Sequence, residues 1–347
     1  SHWPRSWSAT ARLLPNYRPS PIVMTLSKRI DLILASREQL EPFTGNLTRN
    51  LLEETFLCEA SGTTARLPKN IVHIISGNTP HAAFQTLLNG VLLGAQNLLK
   101  LPSQTLLDFE VPIPLRPFVE VSRELPAHWI PKADAMVVFG SDNTIRHFQS
   151  LCPLEIPFVG HGHRIGIAII DEPTPKAAQL AARDIGLFNQ SGCLSLQTIY
   201  LRDPFAFGPL LAEAMTNFEE QDPRGPLSLS EAGAITNLRE ETRYLMAQDS
   251  KSHALWHSPR STAWTIIVEN NPRLALSPGN RTIFLRPMPD NFSKFRHLSG
   301  IALHPYEERS NLPSPRIFPL GEAQFPPALW PHDGILPLAS LVRHQSE

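Results

Sequence analysis

The sequence predicts an α/β protein of two domains, the first an open, doubly wound sheet. Three observations predict it. β-branched runs alternate with apolar helical stretches from residue 70 to 187. The strand-like runs close on Ser, Gly, Asn and Pro. At 347 residues the chain is too long for one simple core and short for three.

Residues 1–25 are aromatic and Pro-rich, without a clean period. Thr25-Leu26-Ser27 starts a helix with Ile30, Ile33 and Leu34 on one face. A second helix runs from Thr48 to Ala60, so residues 1–69 form a helical lead-in.

Ile71-Val72-His73-Ile74-Ile75 is the first strand, closed by Ser76-Gly77-Asn78-Thr79-Pro80. His81 to Gly94 follows as a helix, with Ala82, Leu87, Leu88, Val91 and Leu92 apolar. Asn97-Leu98-Leu99-Lys100 is the second strand, closed by Leu101-Pro102-Ser103. Strand, helix and strand in about 30 residues make a βαβ unit, with parallel strands and a right-handed crossover. Ligands of such sheets bind beyond the carboxyl ends of the strands. Here those ends are Gly77-Asn78 and Lys100 to Ser103.

Ala135-Met136-Val137-Val138-Phe139 is a third strand ending in Gly140-Ser141, and Asp142-Asn143-Thr144 caps a helix reaching Ser150. The run Phe158-Val159-Gly160-His161-Gly162-His163-Arg164 precedes a strand over Ile165 to Ile170. Residues 70–173, with part of the C-terminal tail, are therefore expected to form one domain. A helix over 174–187 opens the second, 174–325. Its strands are expected at 196–201, 264–268, 281–286 and 316–320, and a helix at 228–247. The tail, 326–347, contains Trp330-Pro331-His332-Asp333-Gly334, read as a turn capped by Asp333, then a short helix from Ile335 to Arg343.

Charge narrows the partners. Lys and Arg number 31 against 32 Asp and Glu, so no basic surplus points to nucleic acid. No apolar run reaches the ~18 residues of a membrane span. The 34 prolines, about twice the usual ~5%, mark irregular loops over 109–131 and 304–337. Three sparse cysteines, Cys58, Cys152 and Cys193, form neither a disulfide framework nor a zinc pattern, and imply a reducing cytoplasm. Ser1-His2-Trp3-Pro4 lacks a signal-peptide pattern and an initiator Met, and reads as a cloning remnant.

Cys193 follows Gly192 at a helix-to-strand junction, in Phe188-Asn189-Gln190-Ser191-Gly192-Cys193-Leu194-Ser195. Such a thiol can carry an acyl group as a thioester, because thiolate attack and thiolate departure are chemically alike. The alternative is a buried core thiol. Cys58 and Cys152, in helical or Pro-flanked apolar settings, read as structural.

The motifs Ile75 to Pro80, Lys100 to Ser103, Phe139-Gly140-Ser141, Gly160 to Arg164 and Gln190 to Ser195, with Trp330 to Gly334 and Leu341-Val342-Arg343, resemble the LuxC-type acyl-CoA reductases in order and spacing. That family belongs to the aldehyde dehydrogenase superfamily. The resemblance covers about 70–202 and 298–343. It implies a Rossmann-type cofactor domain and an α/β catalytic domain of the aldehyde dehydrogenase kind. It also implies NADPH-dependent reduction of an acyl thioester, such as acyl-CoA, to the aldehyde through acyl-Cys193. An acyl-transferring or acyl-activating partner protein and a homo-oligomer are further implications.

Residue by residue, Asn78-Thr79-Pro80 matches the superfamily's Asn-x-Pro, whose Asn amide stabilises the acyl oxyanion. Lys100 matches the lysine at the adenosine ribose. Ser103 stands where a Glu often lies, and without that carboxylate a 2′-phosphate is not repelled, favouring NADPH with NADH as the alternative. Ser76-Gly77 and Gly140-Ser141 line the cofactor turns, although no GxGxxG occurs. Near the superfamily's general-base Glu this chain has Val159-Gly160-His161, with no carboxylate. That departure suits a reductase, which activates no water; His161 can deliver a proton to the aldehyde oxygen or help hold the thiolate. A backbone-bonded loop histidine is the bland alternative. Two other functions remain compatible with the residues: acyl transfer on Cys193 without redox chemistry, and a degenerate member acting by binding.

Overall fold

The computed structural model describes residues 24–62, 64–76, 79–102, 109–307 and 312–344. The chain divides into two compact units, residues 1–162 with 325–347, and residues 163–324.

In the first unit, Thr25 caps α1 (Leu26–Ala35) by accepting from Lys28 N–H, and Thr48 caps α3 (Arg49–Ala60) by accepting from Leu51 N–H, with α2 (Arg37–Thr44) between them. The sheet comprises β1 (Asn70–Ile75), β2 (Gln96–Lys100), β3 (Val119–Ser122), β4 (Ala135–Phe139) and β5 (Phe158–His161). It is wholly parallel, in the order β3-β2-β1-β4-β5. The helix α4 (His81–Leu93) crosses from β1 to β2 and stops at left-handed Gly94. β1 alternates between two cores: Ile71 and Ile75 join one, Val72 and Ile74 the other. That period of two buries both faces, as a parallel sheet covered on both sides requires.

The lead-in and the tail share this unit's core. Ile30, Leu52 and Phe56 from the N-terminal helices and Leu338, Leu341 and Val342 from the tail join Ile71, Leu87 and Val91 in one apolar cluster. The short helix expected over 335–343 is instead a single 3₁₀ turn, Ala339–Leu341. Glu59 fixes the tail there, accepting from Leu338 and Ala339 N–H.

The second unit holds seven strands: β6 (Ile165–Ile170), β7 (Leu196–Leu201), β8 (His253–His257), β9 (Thr265–Glu269), β10 (Thr282–Pro287), β11 (Leu298–His304) and β12 (Ile317–Pro319). Their order is β12-β11-β6-β7-β10-β9-β8, parallel except for the β8–β9 pair. The strand at 165–170 thus pairs with β7 and β11, and does not extend the sheet of 70–161. A boundary at 173 is corrected to one between Gly162 and His163. The periodicity of a β-branched run shows that it is a strand and says nothing of its neighbours. Helices α6 (Pro175–Gly186) and α7 (Pro204–Gln221) cover one face, and α8 (Leu229–Gln248) lies beside β8 and β9. The helix α7 was not foreseen, although Asp203-Pro204 is an N-cap followed by an N1 proline. No helix among the described residues is long and apolar enough to cross a membrane.

Candidate active site

Cys193 lies in the second unit, exposed, on the turn between α6 and β7. The backbone reaches that turn through three consecutive left-handed residues, Phe188, Asn189 and Gln190, with φ of 52°, 53° and 60°. Each costs about 1–2 kcal/mol for an L-residue. The Gln190 side chain compensates. Buried, it donates to Leu196 O (2.6 Å) and Thr282 O (2.7 Å) and accepts from Thr282 N–H (2.8 Å), tying the turn to β7 and β10. Buried hydrogen bonds contribute about 1 kcal/mol each, comparable with the strain. On the other side of the thiol, Ser195 N–H donates to Gly192 O (3.1 Å), and the Ser195 hydroxyl accepts from Gln324 Nε2 (2.9 Å). An exposed thiol on a turn pinned at both ends is not a core cysteine.

The other two cysteines are also not core residues. Cys58 is exposed on α3, against its expected structural role. Cys152 is half-buried behind α5 (Asp142–Leu151), and burial, aided by Glu155, pushes its thiol pKa up, away from reactivity.

In the first unit, several candidates gather at the carboxyl edge of the parallel sheet. Ser76, after β1, donates from N–H (3.0 Å) and from its hydroxyl (2.7 Å) to Phe139 O at the end of β4. Gly140 N–H donates to His161 O (3.1 Å) at the end of β5. A Cβ at Gly140 would lie 2.3 Å from Ser76 Oγ and 2.9 Å from Thr144, so only glycine fits. Ser141, and not Asp142, caps α5 by accepting from Thr144 N–H. Lys100 ends β2, next to β1. Gly77, Asn78 and Ser103 lie outside the described residues.

This edge fits a dinucleotide at the level of topology. The strand order reverses between β1 and β4, and Ser76, Gly140 and Ser141 sit at that switch point. The exposed carboxylate of Asp142 in the first turn of α5 works against phosphate at the helix start itself. Lys100 and Arg123, which donates to Pro102 O (2.8 Å), are cations at the same sheet edge.

Sequence reasoning missed Asp333. It is not a cap: its backbone is left-handed (φ 57°) and its buried carboxylate reaches His161, Oδ2 to Nδ1 at 3.0 Å. His332 Nε2 lies 3.8 Å from the other oxygen. His161 stacks on Phe139 (centroids 4.4 Å) and His332 on Trp330 (4.8 Å), which fixes both rings. One ligand atom from each of His161, His332 and Asp333 lies within 4.8 Å of the others, a set able to hold a metal. Ligands on a tetrahedral zinc stand about 3.4 Å apart, so the 3.0 Å pair has hydrogen-bond geometry as it stands. A cavity of about 40 Å³ touches His161 and His332. That is far below the ~300 Å³ or more of a cofactor pocket. No sequence signal linked Asp333 to a residue so distant in the chain.

Farther along the chain, Arg164 Nη1 approaches His297 Nδ1 at 3.2 Å. Arg316 was also missed; its guanidinium is buried close to Cys193 and within its electrostatic reach.

Known proteins resemble this chain in sequence and in fold. A sequence profile for the family described as acyl-CoA reductase (LuxC) matches residues 17–344. The long-chain acyl-protein thioester reductase of Photobacterium phosphoreum is 23% identical over 91% of this chain and 71% of its own length. The protein of the same name from Photorhabdus luminescens is 23% identical over 84% of this chain and 62% of its own. Among solved structures, aldehyde dehydrogenase 21 from Physcomitrella patens matches 92% of this chain and 84% of its own, with a TM-score of 0.61 at 13% identity. That likeness establishes an α/β fold of the aldehyde dehydrogenase kind.

Proposed function

The chain belongs to the LuxC family of acyl-CoA reductases, aldehyde-forming oxidoreductases, and from that premise we propose that it reduces a long-chain acyl thioester, acyl-CoA, to the aldehyde through acyl-Cys193, with NADPH as reductant. The exposed Cys193 thiol on its pinned turn carries this reading.

The Cys193 thiolate attacks the acyl carbon and expels the thiol of the donor, leaving the acyl group as an enzyme thioester. A bound nicotinamide cofactor supplies the hydride. The Asn78 amide and the Cys193 backbone N–H stabilise negative charge on the acyl oxygen. His161 protonates that oxygen to give a hemithioacetal and takes the proton back as the carbon–sulfur bond breaks, releasing the aldehyde and the Cys193 thiolate. Where the superfamily has its general-base Glu this chain has Val159-Gly160-His161, and the Asp333 carboxylate is engaged by the His161 imidazole, which supports a thioester that waits for hydride rather than for water. Ser76, Gly77, Gly140 and Ser141 hold the cofactor's phosphates. Lys100 pairs with a 2′-phosphate that Ser103 does not repel, which selects NADPH over NADH. The sparse cysteines support a reducing compartment such as the cytoplasm. The family resemblance also supports a partner that hands over acyl groups and assembly as a homo-oligomer.

Intact-mass analysis after incubation with a long-chain acyl-CoA tests the reading. An adduct on Cys193 that disappears when NADPH is added is the expected result. Absence of an adduct with acyl-CoAs of every chain length would sink it.

A further inference from the structure

We propose that Arg316 is a positioning residue for Cys193: its immobilised guanidinium holds the Cys193 sulfur as the thiolate. The proposal rests on the reading of Cys193 as nucleophile, and it concerns the second unit alone.

Arg316 precedes β12 and is 7% exposed. Its guanidinium folds back over the ring of Phe318 (4.1 Å) and donates from Nη1 to Ala323 O (2.7 Å) and from Nη2 to Glu322 O (2.6 Å). The loop that provides those carbonyls is itself fixed. Asp184, fully buried on α6, accepts from Gly321 N–H (2.7 Å) and Ala323 N–H (3.0 Å). The next residue, Gln324, donates to Ser195 Oγ, two residues after Cys193. Arg316, Asp184 and the thiol-bearing turn therefore form one hydrogen-bonded assembly, and the guanidinium has little freedom to move away.

The charges around the guanidinium are Asp184, Glu322 and the Cys193 sulfur. Arg183, 3.8 Å from Glu322, also faces Asp184. Burial lowers the Arg316 pKa to about 10, so the side chain stays a cation at neutral pH. Burial raises the Asp184 pKa to about 7, against the pull of its two N–H donors. Around neutral pH the Asp184 countercharge is therefore only partly present. The half-exposed Glu322 is screened by solvent. A cation immobilised beside a thiol favours the thiolate over the thiol. A strap that only bound two loop carbonyls would leave the thiol unaffected.

The test reads the thiol directly, without acyl donor or cofactor. In a Cys58→Ser, Cys152→Ala background, the rate of Cys193 alkylation by iodoacetamide is followed by mass spectrometry from pH 5 to 10. The midpoint is expected at least a unit below the ~8.5 of an ordinary cysteine. Arg316→Gln should raise it by about a unit or more, slowing alkylation at pH 7 about 10-fold, and Arg316→Lys should restore most of the shift. A wild-type midpoint at or above 8.5 overturns the proposal even if the Gln variant does not fold. So does an unchanged midpoint in a folded Arg316→Gln protein. The acyl-adduct experiment is independent of these results: a lowered midpoint without an adduct would leave Arg316 in place and remove the nucleophile reading.

Discussion

The imidazole of His161 and the carboxylate of Asp333, 172 residues apart in the chain, meet at 3.0 Å, Nδ1 to Oδ2. An ionised carboxylate only accepts, so the shared proton resides on Nδ1, which leaves Nε2 as the nitrogen for the proposed proton transfer. The stack on Phe139 holds the ring plane. Asp333→Asn removes the charge that fixes this tautomer while nearly preserving shape. It is expected to slow aldehyde formation about 100-fold, the lower end of what general acid–base catalysis contributes, and to leave acylation of Cys193 intact. Stopped-flow oxidation of NADPH beside mass analysis of the adduct separates the two steps. Equal loss of both would show that Asp333 acts through the fold.

Gln190 offers a second test. Replacing it with Ala deletes three buried hydrogen bonds, to Leu196 O, Thr282 O and Thr282 N–H, and only Thr282 O keeps a second side-chain donor, Ser277 Oγ. A destabilisation of about 2–4 kcal/mol is expected, measurable by urea unfolding. Proteolysis should become faster around residues 188–195, where the left-handed backbone loses its anchor.

His73 makes stability depend on pH. It is fully buried, with Nδ1 at 2.5 Å from Thr86 Oγ1 and Nε2 at 2.9 Å from Asn97 Oδ1. Burial lowers its pKa from 6.5 to about 4. Between those values the unfolded chain binds the proton that the folded chain refuses. The contribution is complete above pH 6.5 and is lost as pH falls towards 4, by up to about 3 kcal/mol. Asp184, raised to about 7, has the opposite sign and stabilises progressively as pH falls from 7 towards 3.8. The two are separated by variants: His73→Gln should flatten the loss between pH 6.5 and 4. Denaturation midpoints at several pH values, compared with wild type, check it.

Cofactor preference is the fourth test. Ser103→Glu places a carboxylate where a 2′-phosphate is proposed to bind. It should lower kcat/KM for NADPH about 10-fold or more relative to NADH, since a like-charge contact costs above ~1 kcal/mol. An unchanged ratio would remove Lys100 and Ser103 from the cofactor site.

The sequence by itself determined the local elements and the family, and with it the class of reaction. The strands at 135–139, 165–170 and 196–201 are present as read, because a β-branched run between turn residues admits few other conformations. Thr25 and Thr48 began their helices for an equally local reason. Cys193 was legible because Gly-Cys at a helix-to-strand junction is a short-range pattern. Tertiary structure alone decided which sheet residues 165–170 join, that the lead-in and the tail complete one core, and that Asp333 and Arg316 face His161 and Cys193. Local rules act over a few residues. Strand partners and buried ion contacts depend on which surfaces the whole chain brings together, and no short-range pattern encodes a meeting across 172 residues.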